Sequence, residues 1–293
     1  MELAPLHRPV LLQEVRVGLD VKPGNVVVDG TLGDGGHSEM FCELVGPTGL
    51  VIGVDRDPEA LPIAEKRLER FGSTFVATHG NFKNIPELVA AITKRPVDRV
   101  LLDLGWSTTQ FMMRGRGFSF MTNEPLDMRF DPSEETESAA DLVNSASRDE
   151  LTRIFRRYGE ESRSEQIAAA IVTARANEPI TTTQQLANIV VGIAPRHGKL
   201  HPATQIFQAL RIAVNDELRV LSDALDAITN FIPTGARVAI ITFHSLEDRI
   251  VKRFIADDPR VEAMTKKPII PTDEEIRDNP RSRSSKLRFF EKK

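Results

Sequence analysis

Val26-Val27-Val28 runs directly into Asp29-Gly30-Thr31-Leu32-Gly33-Asp34-Gly35-Gly36-His37-Ser38, a β-branched run that stops at a glycine-rich turn. Consecutive valines without polar alternation suit a strand covered on both faces. Glycines after such a strand permit positive φ and let a ligand approach main-chain N–H groups, and a following helix N-terminus favours an anionic or electron-rich group. Gly49-Leu50-Val51-Ile52-Gly53-Val54-Asp55 repeats the pattern. Its terminal Asp55 falls roughly 20 residues beyond the glycines, where a carboxylate accepts hydrogen bonds from ribose hydroxyls. Glycine loop and strand-end acid together form a nucleoside-cofactor signature. They do not by themselves choose the cofactor. The dinucleotide spacing G-x-G-x-x-G/A is not met, because Gly33-Asp34-Gly35-Gly36-His37-Ser38 ends in serine and follows an extra Gly30, which weighs against NAD.

Working outward, a helical pattern runs from Pro58 to Phe71, a third strand from Thr74 to Thr78, a helix from about Asn84 to Thr93, and a fourth strand from Val97 to Leu104. Strands alternating with helices imply βαβ units and a mostly parallel sheet. The middle of the chain differs. From Met113 to Leu200 no buried-strand signal occurs, Glu134 to Ala140 is acidic, and helical periodicity runs through Leu151, Ile154, Phe155, Ile167 and Ile171. A long amphipathic helix is expected from Thr204 to Thr229, leading through Pro233-Thr234-Gly235 into a fifth strand, Ala236 to Phe243. Lys267 to Ile270 and Lys286 to Phe290 read as a closing pair of strands. The expected organisation is an α/β sheet domain over 1–112 and 204–293, interrupted by a helical insertion at 113–203.

A length of 293 residues suits about two domains, or one carrying an insertion. Hydrophobic residues at 41% and charged residues at 27% are ordinary globular proportions. Thirty-eight Lys+Arg against 42 Asp+Glu give a net charge of −4, which excludes a uniformly basic nucleic-acid binder but not a local basic patch. Cys42 is the lone cysteine, so an intrachain disulfide and a cysteine-built zinc site are both excluded, and a reducing cytosol fits. His7, His37, His197 and His201 show no H-E-x-x-H spacing, and no metal is expected. Met1 to Pro9 lacks the basic-then-apolar pattern of a signal peptide, and no apolar run approaches the ~20 residues of a membrane helix, so a soluble cytoplasmic protein without membrane contact is expected.

The fourth strand ends in Asp103-Leu104-Gly105-Trp106-Ser107. In an open α/β sheet, ligands lie beyond the carboxyl ends of the strands, so Asp103 should face the same crevice as Gly33 and Asp55, although a lone Asp there could simply cap the next element. Arg114-Gly115-Arg116-Gly117-Phe118-Ser119-Phe120, with Arg129 beyond it, interleaves arginine, glycine and aromatics in a way that suits phosphate contacts and base stacking, or makes an ordinary solvated loop. Asn279 to Arg288 is a second basic segment. Arg114, Arg116, Arg281 and Arg283 are therefore the candidate phosphate contacts. Phe243-His244-Ser245-Leu246-Glu247-Asp248-Arg249 invites a hydrolase reading, but Ser245 lies in no G-x-S-x-G elbow, and a cluster that shapes the pocket or caps a helix is the better reading.

Pro9-Val10-Leu11-Leu12, Gly33 to Ser38, Asp55-Arg56-Asp57-Pro58, Asp103-Leu104-Gly105, Arg116 to Phe120, Pro125-Leu126-Asp127-Met128-Arg129, Tyr158-Gly159-Glu160, His201-Pro202-Ala203-Thr204, Phe207 to Ile212, Phe243 to Lys252 and Arg283 to Arg288 occur in order. In these blocks the chain resembles the RsmH (MraW) family, bacterial enzymes that methylate N4 of a cytidine in 16S ribosomal RNA. The resemblance implies a Rossmann-like S-adenosylmethionine methyltransferase domain interrupted by a helical substrate-recognition domain. It assigns cofactor contacts to Gly35, Gly36, His37, Asp55, Phe82, Asp103 and Gln110. It also implies 16S rRNA as partner, within a 30S particle, and a homodimer is compatible with it. The family's Asp-Leu-Gly-Val-Ser-Ser-Pro-Gln is here Asp103-Leu104-Gly105-Trp106-Ser107-Thr108-Thr109-Gln110, a departure that replaces Val by a bulkier ring and removes a proline. Asp103 is the expected catalytic residue, accepting N–H from the target amine or serving the cofactor. An NAD-dependent oxidoreductase and a non-catalytic ribosome-assembly factor on the same fold are the competing classes.

Overall fold

A computed structural model describes residues 9–105, 115–194 and 201–293. The chain divides into two compact units, one made of Met1–Ser107 with Leu218–Lys293, the other of Thr108–Glu217.

The first unit is built on a seven-stranded sheet: β1 (Val26–Asp29), β2 (Leu50–Asp55), β3 (Phe75–His79), β4 (Arg99–Asp103), β5 (Arg237–Thr242), β6 (Val261–Ala263) and β7 (Lys286–Lys292), in the order β3-β2-β1-β4-β5-β7-β6. β1 to β5 are parallel, whereas β7 runs antiparallel to both β5 and β6. The strands carry two apolar faces, as expected of a sheet with period-2 side chains covered on both sides. Val26, Val28, Ile52, Val54, Val100, Leu102, Val238 and Ile240 pack in one cluster, and Val27, Val51, Leu101, Ala239 and Ile241 in another. Helices α1 (Leu12–Leu19), α2 (Gly36–Val45), α3 (Ala60–Leu68) and α4 (Ile85–Ile92) precede the insertion. The order reverses between β1 and β4, since β2 and β3 extend one way and β4 and β5 the other. That reversal opens a crevice at the carboxyl ends of β1 and β4, the place where such sheets bind ligands.

The second unit contains α5 (Ala139–Ser145), α6 (Arg148–Gly159), α7 (Ser164–Arg175), α8 (Thr183–Ile193) and α9 (Ala203–Asn215). Its described residues form no strand, only an isolated bridge between Pro125 and Thr182. Capping boxes start α5 (Ser138 with Asp141) and α8 (Thr182 with Gln185), each satisfying main-chain N–H groups that a helix start leaves unpaired. α6 packs along α9, and the crossing is close. A Cβ on Gly159 would come within 2.7 Å of the Gln205 carbonyl oxygen.

After the insertion come α10 (Glu217–Phe231), α11 (Ser245–Asp257) and α12 (Asp273–Asp278). Two sequence expectations are corrected here. The single helix over Thr204 to Thr229 is two helices, broken at Asp216, whose φ of 52° caps α9 in the left-handed region. Apolar periodicity carries across that break because one residue of wrong dihedral leaves the spacing of Leu and Ile unchanged. α9 therefore belongs with the helical unit, not with the sheet unit to which the sequence assigned it. The closing strand pair is also different. β7 is present and is flanked by β5 and β6, while the expected partner around Lys267–Ile270 contributes only a bridge from Ile269 to Leu287. Among the described residues, no helix is long and apolar enough to cross a membrane.

Candidate active site

The loop after β1 is shaped by close packing and by one carboxylate. Gly33 and Gly35 have φ of 50° and 79°, dihedrals that strain residues with a Cβ. A Cβ on Gly36 would stand 2.4 Å from Pro9 Cγ, so the first turn of α2 is held directly against the N-terminal segment. Asp55, at the end of β2, accepts the Gly33 N–H at 2.7 Å through Oδ2 and the Asp57 N–H at 2.8 Å through Oδ1. A carboxylate oxygen has more than one acceptor direction, so the same group can hold the loop and still take a hydroxyl from a ligand. Phe82 is half-buried against the core on the α4 side of the sheet, and its Cβ lies 3.3 Å from where a Cβ of Gly30 would be.

Across the crevice, the Asp103 main-chain N–H donates to the Thr31 hydroxyl at 2.6 Å, tying the end of β4 to the glycine loop. The Asp103 side chain is 15% exposed, and its Oδ2 lies 3.7 Å from His37 Nδ1. Its Oδ1 is buried with no hydrogen-bond partner among the described residues. Burial, then the charges of Asp29 and Glu247, push the Asp103 carboxyl up to about 8. Asp29 is buried and raised to about 6 by the same loss of solvent, against the opposing hydrogen bond it accepts from Ser38 Oγ at 2.8 Å. Glu247 accepts N–H groups from Phe243 and His244, and His244 caps α11 in return. The His244-Ser245-Leu246-Glu247 stretch is thus a helix cap rather than a hydrolytic triad.

Four carboxyl groups, Asp29, Asp55, Asp103 and Glu247, therefore converge at the ends of β1, β2, β4 and β5. Crowded acids of this kind are costly alone and favour a cationic ligand. The sequence had marked Asp55 and Asp103. Thr31 and Asp29 lie in the glycine-rich stretch without being singled out as site residues, and Glu247 belongs to the Phe243–Arg249 stretch read as shaping the pocket or capping a helix, which is where its capping box with His244 stands. Gly35, Gly36, His37, Asp55, Phe82 and Asp103 fall in this unit, at or beside the crevice, while Gln110, with Trp106 and Thr109, lies outside the described residues. A glycine cradle, an orphaned buried carboxylate oxygen, a ribose-type acceptor and an acidic rim fit S-adenosylmethionine, which carries a diol and a sulfonium.

The basic candidates fare differently. Arg114 lies outside the described residues. Arg116 is buried, and its Nη1 donates to the carbonyls of Phe130 at 2.8 Å and Arg129 at 3.4 Å. Phe118 is buried and stacked on Phe130, while Phe120 stacks on His201. The expected phosphate and stacking role of this stretch is corrected: Arg116 and Phe118 hold the helical unit's own loop together, because a guanidinium saturating two carbonyls satisfies a tight turn that glycine-rich sequence alone leaves open. In the C-terminal segment, Lys286 and Arg288 are both committed to Asp248, at 3.0 and 2.7 Å. Arg281 is half-buried, and burial lowers its pKa. Arg283 is exposed.

Residues 4–293 match the MraW methylase family. The chain is 45% identical to the ribosomal RNA small subunit methyltransferase H of Trichlorobacter lovleyi, over 98% of both chains. It is 44% identical to the protein of the same name from Geobacter sulfurreducens, again over 98% of both, and 42% identical to that of Thermomicrobium roseum, over 99% of this chain and 94% of the relative. With residues 4–293 matched and the glycine loop and Asp103 gathered at one crevice, this protein belongs to the MraW methylase family.

Proposed function

We propose that the protein transfers a methyl group from S-adenosylmethionine to the exocyclic N4 of a cytidine in 16S ribosomal RNA, acting in the cytoplasm on the assembled 30S particle. The observation that carries this reading is Asp103, a buried carboxyl with an unpartnered oxygen beside the glycine loop, in a chain whose relatives are named small-subunit rRNA methyltransferases. S-adenosylmethionine, when bound, supplies an electrophilic methyl on a sulfonium. The N4 lone pair of cytosine is delocalised into the ring and is a poor nucleophile, so the protein must fix it in line and accept its N–H as positive charge develops. Asp103 is the acceptor within this site. Asp55 holds the ribose, Gly35 and Gly36 allow main-chain contact, and the acidic rim stabilises cationic charge. Burial of these groups keeps water from competing for the same hydrogen bonds. The target base must leave any stack to reach the crevice, at a cost of a few kcal/mol unless the RNA is already unpaired.

Transfer of labelled methyl from S-adenosylmethionine to 30S particles, against naked 16S RNA and 50S particles, tests the reading. Label is expected in 16S RNA, as N4-methylated cytidine after digestion. Label in another nucleotide, or none with any substrate, removes it. On the RNA side, Arg283 takes the place of the buried Arg116. Arg283→Glu is expected to weaken RNA binding and reduce the slope of log affinity against log salt by about one, because one phosphate contact is lost. S-adenosylhomocysteine affinity should stay unchanged. An unaltered salt slope would take Arg283 out of the RNA contact.

A further inference from the structure

His37 stands in an arrangement that the cofactor contact expected of it does not explain. Its Nε2 lies 3.1 Å from the main-chain oxygen of Val10, and a carbonyl oxygen can only accept, so Nε2 carries the hydrogen. In the neutral ring that fixes Nδ1 as the basic nitrogen, and Nδ1 faces Asp103 Oδ2 at 3.7 Å. Both side chains are largely withdrawn from solvent, at 6% and 15% exposure. Among the described residues, the other titratable groups that act on Asp103 are acids: Asp29 at the end of β1, itself beside Asp55 of β2, and Glu247 on α11. Nothing in that set can take a proton from Asp103 without adding to the crowding of acids except the imidazole.

A protonated Asp103 could donate but could not accept through that oxygen. The reaction proposed above needs an acceptor. We propose that His37 is the internal base that ionises Asp103: the proton on Oδ2 passes to the Nδ1 lone pair, leaving a carboxylate and an imidazolium. The gap exceeds hydrogen-bond length by roughly 0.8 Å, a distance a side-chain rotation or one bridging water covers. When N4 then takes the methyl group, the N4–H bond breaks, its proton bonds to the Asp103 carboxylate, and the electron pair of that bond restores the amine. The C–S electrons leave with sulfur. His37 acts through Asp103 and is a positioning residue for the proton. This inference rests on the methyltransfer reading, and its first test does not need turnover.

In the ligand-free full-length protein with nitrogen-15-labelled histidine, the His37 titration midpoint is expected to fall by roughly one unit or more in Asp103→Asn, because the carboxylate that stabilises the imidazolium is gone. An unchanged midpoint overturns the pairing, whether or not the enzyme methylates anything. The second test is the pH profile of methyl transfer in His37→Gln, whose amide can still donate to the Val10 oxygen but cannot take a proton. At saturating cofactor, the ratio of variant to parent rate is expected to rise about tenfold between pH 7 and pH 9, where Asp103 ionises unaided. A rate ratio that stays constant from pH 6.5 to 9 means His37 is structural, and the inference is wrong. A parent enzyme inactive on every RNA, with the coupled midpoint intact, counts against the proposed function alone.

Discussion

Asp103→Asn is expected to lower methyl transfer by at least about 100-fold and, in the same protein, to raise thermal stability in alkaline buffer. The first effect follows from removing a charged acceptor from a water-poor site, where such groups contribute roughly 10²–10³ in rate. The amide offers one oxygen, without charge, and its NH2 opposes a donor. The second effect has the opposite sign because the wild-type carboxyl is held near 8 against an ordinary value of 3.8. A raised acid favours its neutral form in the fold. Its contribution to stability is complete below pH 3.8 and erodes as pH climbs, by about 1.4 kcal/mol per unit, until it is lost above about 8. Asparagine has no proton to lose. The stability gap between variant and parent should be small near pH 4 and should widen to a few kcal/mol by pH 9. Asp29, raised to about 6, erodes in the same direction in both proteins. Paired melting curves at pH 5, 7 and 9 decide it. A variant that is less stable than its parent at pH 9 would show that burial and the neighbouring acids do not hold the Asp103 carboxyl above its ordinary range. Near-normal turnover would remove it from the chemistry.

The parts of the molecule that local pattern controls were legible in the sequence. β1, β2, β4 and β5 appear within two residues of the apolar runs, because a strand covered on both faces must be a run of Val, Ile and Leu. The glycine loop and Asp55 could be placed together because both sit at strand ends on one side of the order reversal. What could not be read depends on partners far away in sequence. Arg116 looks like a phosphate ligand until the carbonyls of Arg129 and Phe130 are seen around it. Lys286 and Arg288 look like a basic tail until Asp248, 38 and 40 residues earlier, neutralises them. β6 is three residues long, one buried and two exposed, too brief to signal a strand. The acidity of the site was hidden for a related reason. Asp29 reads as a turn residue, and only its burial, with the Asp55 charge brought near from the end of β2 and against the hydrogen bond from Ser38, makes it an unusual acid.

Asp55→Ala is expected to weaken S-adenosylhomocysteine binding by about 1–3 kcal/mol, a loss of roughly 5- to 150-fold, and to lower the melting temperature at the same time. Two separate consequences follow from that substitution. The carboxylate is the acceptor for the half-buried Gly33 and the buried Asp57 N–H groups, and alanine leaves both donors without it. Each such orphan costs about 1–3 kcal/mol of folding free energy, or about 2–12 °C in a unit of this size. The binding loss arises in addition, from ribose hydroxyls that no longer meet an acceptor and from a glycine loop that must be ordered by the ligand itself. Asp55→Asn separates the two. Its amide oxygen can keep one of the N–H groups, while its NH2 meets the other donor, so stability should recover in part and ligand affinity should lie between parent and alanine. Calorimetry with S-adenosylhomocysteine alongside melting curves gives both readouts on the same samples. A melting temperature that falls while affinity stays at the parent level would mean that Asp55 only builds the loop. The nucleoside would then be held elsewhere along the rim.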